Sequence, residues 1–160
     1  MKIPLLEFPL TGRTFDAFEL AREAHRGQVD RAGDPYILHP VYVANLAYRL
    51  TKDQADWEHY VCTALLHDTV EDTKITLEDL EKSFPKEVTE AVRLLTRNPR
   101  QSYLDYVRSI RKSGNSVARM VKFCDLIHNS NLSRLPKVTA GDRKRVEKYK
   151  KAKAILAGEM

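Results

Sequence analysis

The chain has 160 residues, 42% of them apolar and 31% charged, which favours one domain with a buried core of useful size. No apolar run approaches the roughly 20 residues that cross a bilayer. The opening stretch MKIPLLEFPL carries Glu7 and two prolines and lacks a small-residue cleavage site, so no secretory signal is expected and the prediction is a cytoplasmic protein. The formal charge of +5 is compatible with an anionic partner.

From Thr14 to Gln28, the residues Phe18, Ala21, Ala24 and His25 recur at spacings of three and four and predict a helix that Gly27 stops. Val29 to Leu38, with Gly33 and Pro35, predicts a loop. Pro40 suits the first turn of the next helix, where its missing N–H costs nothing, and Val43, Ala44, Leu46, Ala47 and Leu50 continue it. Asp53 is the expected cap of a third helix running through Val61, Ala64 and Leu65 to His67. Thr76/Asp79, Ser102/Asp105 and Thr139/Asp142 have capping-box spacing, with Asp in place of Glu, and mark further starts. Between them, Val88, Ala91, Val92 and Leu95 form one apolar stripe, and Val117, Val121, Cys124 and Leu132 the next. Asn98 to Gln101 is a polar break, either a surface loop or an edge of a pocket.

Cys62 and Cys124 lie among apolar residues without metal-finger spacing and read as buried free thiols. Late in the chain come Arg143, Lys144, Arg145, Lys148, Lys150, Lys151 and Lys153. With no aromatic platform or groove-reading motif beside them, they read as a solvated face rather than a nucleic-acid grip. A nucleotide substrate would exploit the same positive field. Strand-like alternation is nearly absent, and there is no repeat, low-complexity tract or linker. The expectation is one all-α domain of about seven or eight helices over residues 1–160, ending in a basic helix at about 140–157.

The sharpest chemical signal is His67–Asp68 at the end of an apolar helical run, followed by Glu71 and Asp72. A single His–Asp pair is commonplace; its company gives it weight. His39 precedes a helix start, and Asp125 lies in an apolar helix face, where a carboxylate must be paired or bound to a cation. An ion pair of Asp125 with Lys122, Arg119 or another basic residue is the other reading. Asn129, four residues after Asp125, projects from the same side and orients a substrate hydroxyl or a metal-bound water, or caps nearby backbone. His128 points about 100° away and reads as structural or surface. His39, His67, Asp68 and Asp125 together suit manganese, iron or zinc better than calcium and leave positions on a six-coordinate metal for water and a phosphoryl oxygen. Glu71 and Asp72 are then placed to accept the water's proton, or form only an acidic surface turn.

The segments AREAHRGQ (21–28), GDPYILHP (33–40), ALLHDTVEDT (64–73) and VKFCDLIHN (121–129) resemble the HD-domain hydrolases of the RelA/SpoT type. The likeness is nearest to the free-standing small alarmone hydrolases, the metazoan SpoT homologue among them, and runs from about Phe15 to Leu135. It implies an HD-domain helical bundle with His39, His67, Asp68 and Asp125 as ligands of manganese. It also implies Glu71 and Asp72 as the acidic pair that activates water, and Asn129 in the nucleotide pocket. The implied reaction removes pyrophosphate from the ribose 3′ position of guanosine tetra- or pentaphosphate (ppGpp or pppGpp), leaving GDP or GTP. With no room for a synthetase domain, hydrolysis alone is expected.

Two departures bear on the substrate. Where the family has an Arg-Lys-Ser-Gly run after GQ, this chain has Asp30, Arg31, Ala32 and Gly33. That removes an arginine contact with the base and leaves Arg31 in the place of the lysine. After Asn129, Ser130, Asn131 and Leu132 replace Met-Arg-Thr. These changes motivate an alternative, an HD phosphohydrolase acting on another phosphorylated nucleotide or dinucleotide, such as an NADPH phosphatase. A nucleotide-binding module without turnover is a third reading.

Overall fold

Helix caps and apolar stripes dominate the backbone of residues 5–159, the part that a computed structural model describes. The α-helices among them are α1 (Gly12–Ala24), α2 (Leu38–Thr51), α3 (Trp57–Leu66), α4 (Thr69–Asp72), α5 (Leu77–Glu81), α6 (Lys86–Leu95), α7 (Tyr103–Lys112), α8 (Ser116–Asn129) and α9 (Ala140–Ala157). A 3-10 turn, Leu132–Arg134, lies between the last two. Seven of the helices have ten or more residues, and α4 and α5 are single turns, as an all-α bundle requires. The only extended pairing among these residues is an isolated bridge from Val29 to Pro35. The first four residues of the stretch taken as lacking a signal, Met1 to Pro4, lie outside the described part.

The middle of the bundle is α3, whose residues Tyr60 to Leu66 are all buried. A helix apolar on every side is stable only when neighbours cover it all round, and here α1, α2, α6 and α8 pack against it. Its burial carries the residues at its C-terminal end, His67–Asp68, into the interior. On α6, Val88, Ala91, Val92 and Leu95 are buried as the stripe predicts. Both Thr76/Asp79 and Thr139/Asp142 form reciprocal capping boxes. Ser102 accepts from the Asp105 N–H and donates to its carboxylate, without the return bond to backbone.

Several boundaries differ from the sequence expectation. The first helix ends at Ala24, not Gln28, because Gly27 turns the chain at φ +81° and the Gln28 side chain bonds back to His25. The third helix begins at Trp57, and Asp53 does not cap it. Tight turns at Gln54 and Trp57, closed on the carbonyls of Thr51 and Gln54, place Asp53 before the start. Leu50 is 48% exposed, since α2 turns Val41, Val43, Ala44 and Ala47 inward instead. The α8 stripe ends before Leu132, where Asn131 starts the 3-10 turn by accepting from Ser133 N–H.

The basic helix α9 is more than a solvated face. It packs on α7 and α8, burying Ala152, Ile155 and Leu156, while Arg143, Lys144, Lys150 and Lys151 stay exposed. Both cysteines are buried and free, and no helix is long and apolar enough to cross a membrane among the described residues.

Candidate metal centre and nucleotide cavity

Three helices deliver the metal-type donors. His39 lies in the first turn of α2, His67 follows the last residue of α3, and Asp125 lies on α8. One donor atom from each falls within 4.8 Å of the others, and all three residues are buried. His39 Nε2 is 2.9 Å from Asp125 Oδ1, and His67 Nε2 is 3.5 Å from the same oxygen. Asp68 closes the group, its Oδ2 lying 3.1 Å from His67 Nε2 and 3.7 Å from His39 Nε2. The four residues picked from sequence therefore meet in one place.

Their orientation suits a divalent cation. His67 Nδ1 donates to the Ala64 carbonyl at 2.6 Å, which turns Nε2, buried and without a hydrogen-bond partner, into the nitrogen that would offer its lone pair to a cation. Two imidazole nitrogens with carboxylate oxygens are the donors expected for a first-row divalent ion rather than calcium. Burial opposes charge on His67, Asp68 and Asp125, yet attraction between neighbours outweighs it. Asp68 and Asp125 hold His67 well above the usual histidine range. Despite burial, His67 and His39 hold Asp68 below the usual carboxylate range. Lys122 and the two histidines do the same for Asp125.

Supporting residues surround this group. Tyr36 donates its hydroxyl to Asp68 Oδ2 at 2.5 Å; burial, then the Asp68 charge, raises its pKa so that it keeps that proton. Lys122 Nζ donates to Asp125 Oδ2 at 2.8 Å, and its ammonium lies 5.3 Å and 5.2 Å from the ring centres of Tyr103 and Tyr106. Asn129 Nδ2 donates to Asp125 Oδ1 at 3.0 Å. Of the two sequence readings of Asp125, the ion pair with Lys122 is formed, and the other oxygen is left facing the histidines. His128 is not a surface residue; it is buried, with Nδ1 2.6 Å from His39 Nδ1. Burial, then the neighbouring His39 and Arg134, pushes its pKa down to about 3.

Beside the centre lies a cavity of about 290 Å³, whose lining includes His39, Asn129, Arg31, Arg134, Arg145 and Tyr149. Arg31 and Asn129 thus share one cavity wall with the histidine. Asp30 accepts from the N–H groups of Ala32 and Asp34 and from Arg134 Nη1 at 3.3 Å, so it folds its own loop and neutralises a neighbouring arginine. Arg145 and Tyr149, brought in by α9, escaped the sequence reading. The periodicity of a basic helix does not say which neighbour it covers.

Glu71 and Asp72 occupy α4, directly after the His67–Asp68 corner, and both are exposed. They do not line that cavity. Glu71 Oε1 accepts the Arg97 N–H at 2.7 Å, tying α4 to the edge of the polar break. The Asp72 carbonyl accepts from Gln28 Nε2 at 3.1 Å. Partial burial and the adjacent Asp68 and Glu71 charges push the Asp72 carboxyl up to about 6.

Known proteins resemble this chain in sequence and in fold. The profile of the HD-domain family matches residues 17–109. A probable GTP pyrophosphokinase of Mycobacterium leprae is 39% identical over 125 residues, 74% of this chain and 15% of its own. The bifunctional (p)ppGpp synthase/hydrolase SpoT of Escherichia coli K12 is 34% identical over 126 residues, 73% of this chain and 17% of its own. The chain therefore spans less than a fifth of the length of these relatives. A solved structure of a metazoan SpoT orthologue, described as hydrolysing ppGpp and acting in starvation responses, matches with a TM-score of 0.75 and 25% identity. That match covers 95% of this chain and 89% of the other. From sequence profile, relatives and fold alike, this chain belongs to the HD-domain family and is similar to its SpoT-type members.

Proposed function

We propose that the chain hydrolyses the 3′-pyrophosphate of ppGpp and pppGpp, releasing pyrophosphate with GDP or GTP, in a manganese-dependent reaction in the cytoplasm. The observation that carries this reading is a buried His39–His67–Asp125 group beside an arginine-lined cavity. Similarity to proteins named for ppGpp hydrolysis supports the substrate. His39, His67, Asp68 and Asp125 hold the metal, which supplies Lewis acidity at the phosphoryl group. Arg31, Arg145 and Asn129 bind and orient the nucleotide. Glu71 and Asp72 take the proton of the attacking water, a role that suits a carboxyl raised to about 6 at Asp72.

Incubating the purified chain with ppGpp, with and without manganese, and resolving products by ion exchange tests this directly. Manganese-dependent GDP and pyrophosphate are expected. A metal-loaded protein that leaves ppGpp intact refutes the substrate. A second reading, hydrolysis of another phosphorylated nucleotide or dinucleotide, is favoured by the Asp30–Arg134 pair at the cavity wall. A parallel panel that includes NADPH separates the two.

A further inference from the structure

We propose that His128 is a positioning residue of the metal centre: its Nδ1 lone pair accepts the Nδ1–H of His39 and holds that ring in the tautomer whose Nε2 faces the cation. This inference rests on the metal reading above. The two Nδ1 atoms lie 2.6 Å apart, a hydrogen bond that needs one donor and one acceptor. His39 Nε2 faces Asp125 Oδ1 at 2.9 Å and Asp68 Oδ2 at 3.7 Å, so Nε2 is the nitrogen directed at the shared centre. A ligating imidazole nitrogen carries a lone pair, which puts the His39 proton on Nδ1. His128 is then the acceptor and keeps its own proton on Nε2.

The two histidine ligands are oriented by different means. His67 directs its Nδ1–H to a carbonyl within its own helix, at Ala64. The His39 bond instead crosses from α2 to α8, between residues 89 apart in sequence. His128 is itself held by stacking on Tyr42, with ring centres 4.1 Å apart and the planes tilted by 25°; its plane lies 24° from that of His39, ring centres 4.9 Å apart, as an edge-to-edge hydrogen bond requires. Because Asp125 is on the same helix, α8 presents one ligand and fixes the orientation of another.

The test compares His128→Phe, which keeps a ring against Tyr42 but has no acceptor, with His128→Asn, whose Oδ1 restores an acceptor near the Nδ1 position. Manganese affinity is measured by calorimetry at pH 8 on chelator-stripped protein, with circular dichroism as the folding control. We expect the Phe variant to bind about 10- to 100-fold more weakly, the usual loss when a ligand's outer partner is removed. The Asn variant is expected within about three-fold of wild type on the same scale. An unchanged Phe variant, or Phe and Asn variants weakened alike, overturns the inference. On the zinc-loaded wild type, which needs no variant to fold, a resolved ¹⁵N–¹⁵N coupling between His39 and His128 is expected, and its absence counts against the bond. A wild type that takes up neither metal overturns the metal reading and this inference with it.

Discussion

Asp125 divides its two oxygens between neighbours of different kinds. Oδ2 takes the Lys122 ammonium at 2.8 Å, while Oδ1 faces His39 and takes the Asn129 amide. Burial works against the Lys122 charge, but Asp125 and the rings of Tyr106 and Tyr103 hold it well above the usual lysine range. Lys122→Met leaves a carboxylate oxygen buried without its cation. We expect a loss of about 3–5 kcal/mol in urea unfolding of the metal-free protein; a loss well under 1 kcal/mol would mean that water replaces the ammonium. Glu71→Gln should keep its metal, by elemental analysis, and slow hydrolysis by roughly two or more orders of magnitude. Wild-type turnover in that variant removes Glu71 from the proton transfer. Asp72 sits at about 6 in the fold against about 3.9 unfolded, so it favours the fold fully only below the unfolded value. That contribution is lost as pH rises through about 6. Asp72→Asn should therefore stabilise the metal-free protein at pH 7 and flatten its stability loss between about pH 4 and 6. Because the residue is exposed, the gain is on the order of 1 kcal/mol rather than the roughly 3 that the full shift implies.

At the scale of elements, α9 links a local signal to a distant consequence. Thr139 Oγ1 accepts the Asp142 N–H at 3.2 Å, and Asp142 returns a bond to the Thr139 N–H at 2.8 Å. The same Asp142 carboxylate pairs with Arg145 and lies 3.5 Å from Arg31, so the cap also braces two cavity arginines. Thr139→Ala is expected to cost about 1 kcal/mol in thermal unfolding. It should raise the nucleotide KM more than it lowers kcat. An equal fall in kcat with no change in KM would separate the cap from the cavity. The cap was legible because all its partners lie within one turn. Where α9 docks was not, since its face is chosen by α7 and α8.

Across the whole molecule, one core runs from Phe8 to Leu156 and encloses both thiols. Burial pushes the Cys62 and Cys124 thiols, on α3 and α8, up to about 12, and both residues are completely buried. A thiol-specific reagent at pH 8 should therefore label neither cysteine in the native protein and both in denaturant, with labelling tracking global unfolding. Labelling of one alone under native conditions would instead reveal local opening of its helix.

Helix class, most starts and the four metal-type donors were determined by the sequence itself. Caps and apolar stripes act over three or four residues, and a carboxylate in an apolar stripe announces that it needs a partner. Even Lys122, three residues before Asp125, was visible as one of two readings. Only the tertiary structure decided that Lys122 takes one Asp125 oxygen while the other faces the histidines, and that Tyr36 reaches Asp68 across 32 residues and His128 reaches His39 across 89. It also decided that α9 lends Arg145 and Tyr149 to the cavity. Such contacts depend on which helix faces pack together, and a period of 3.6 residues specifies a buried face without naming the helix that buries it.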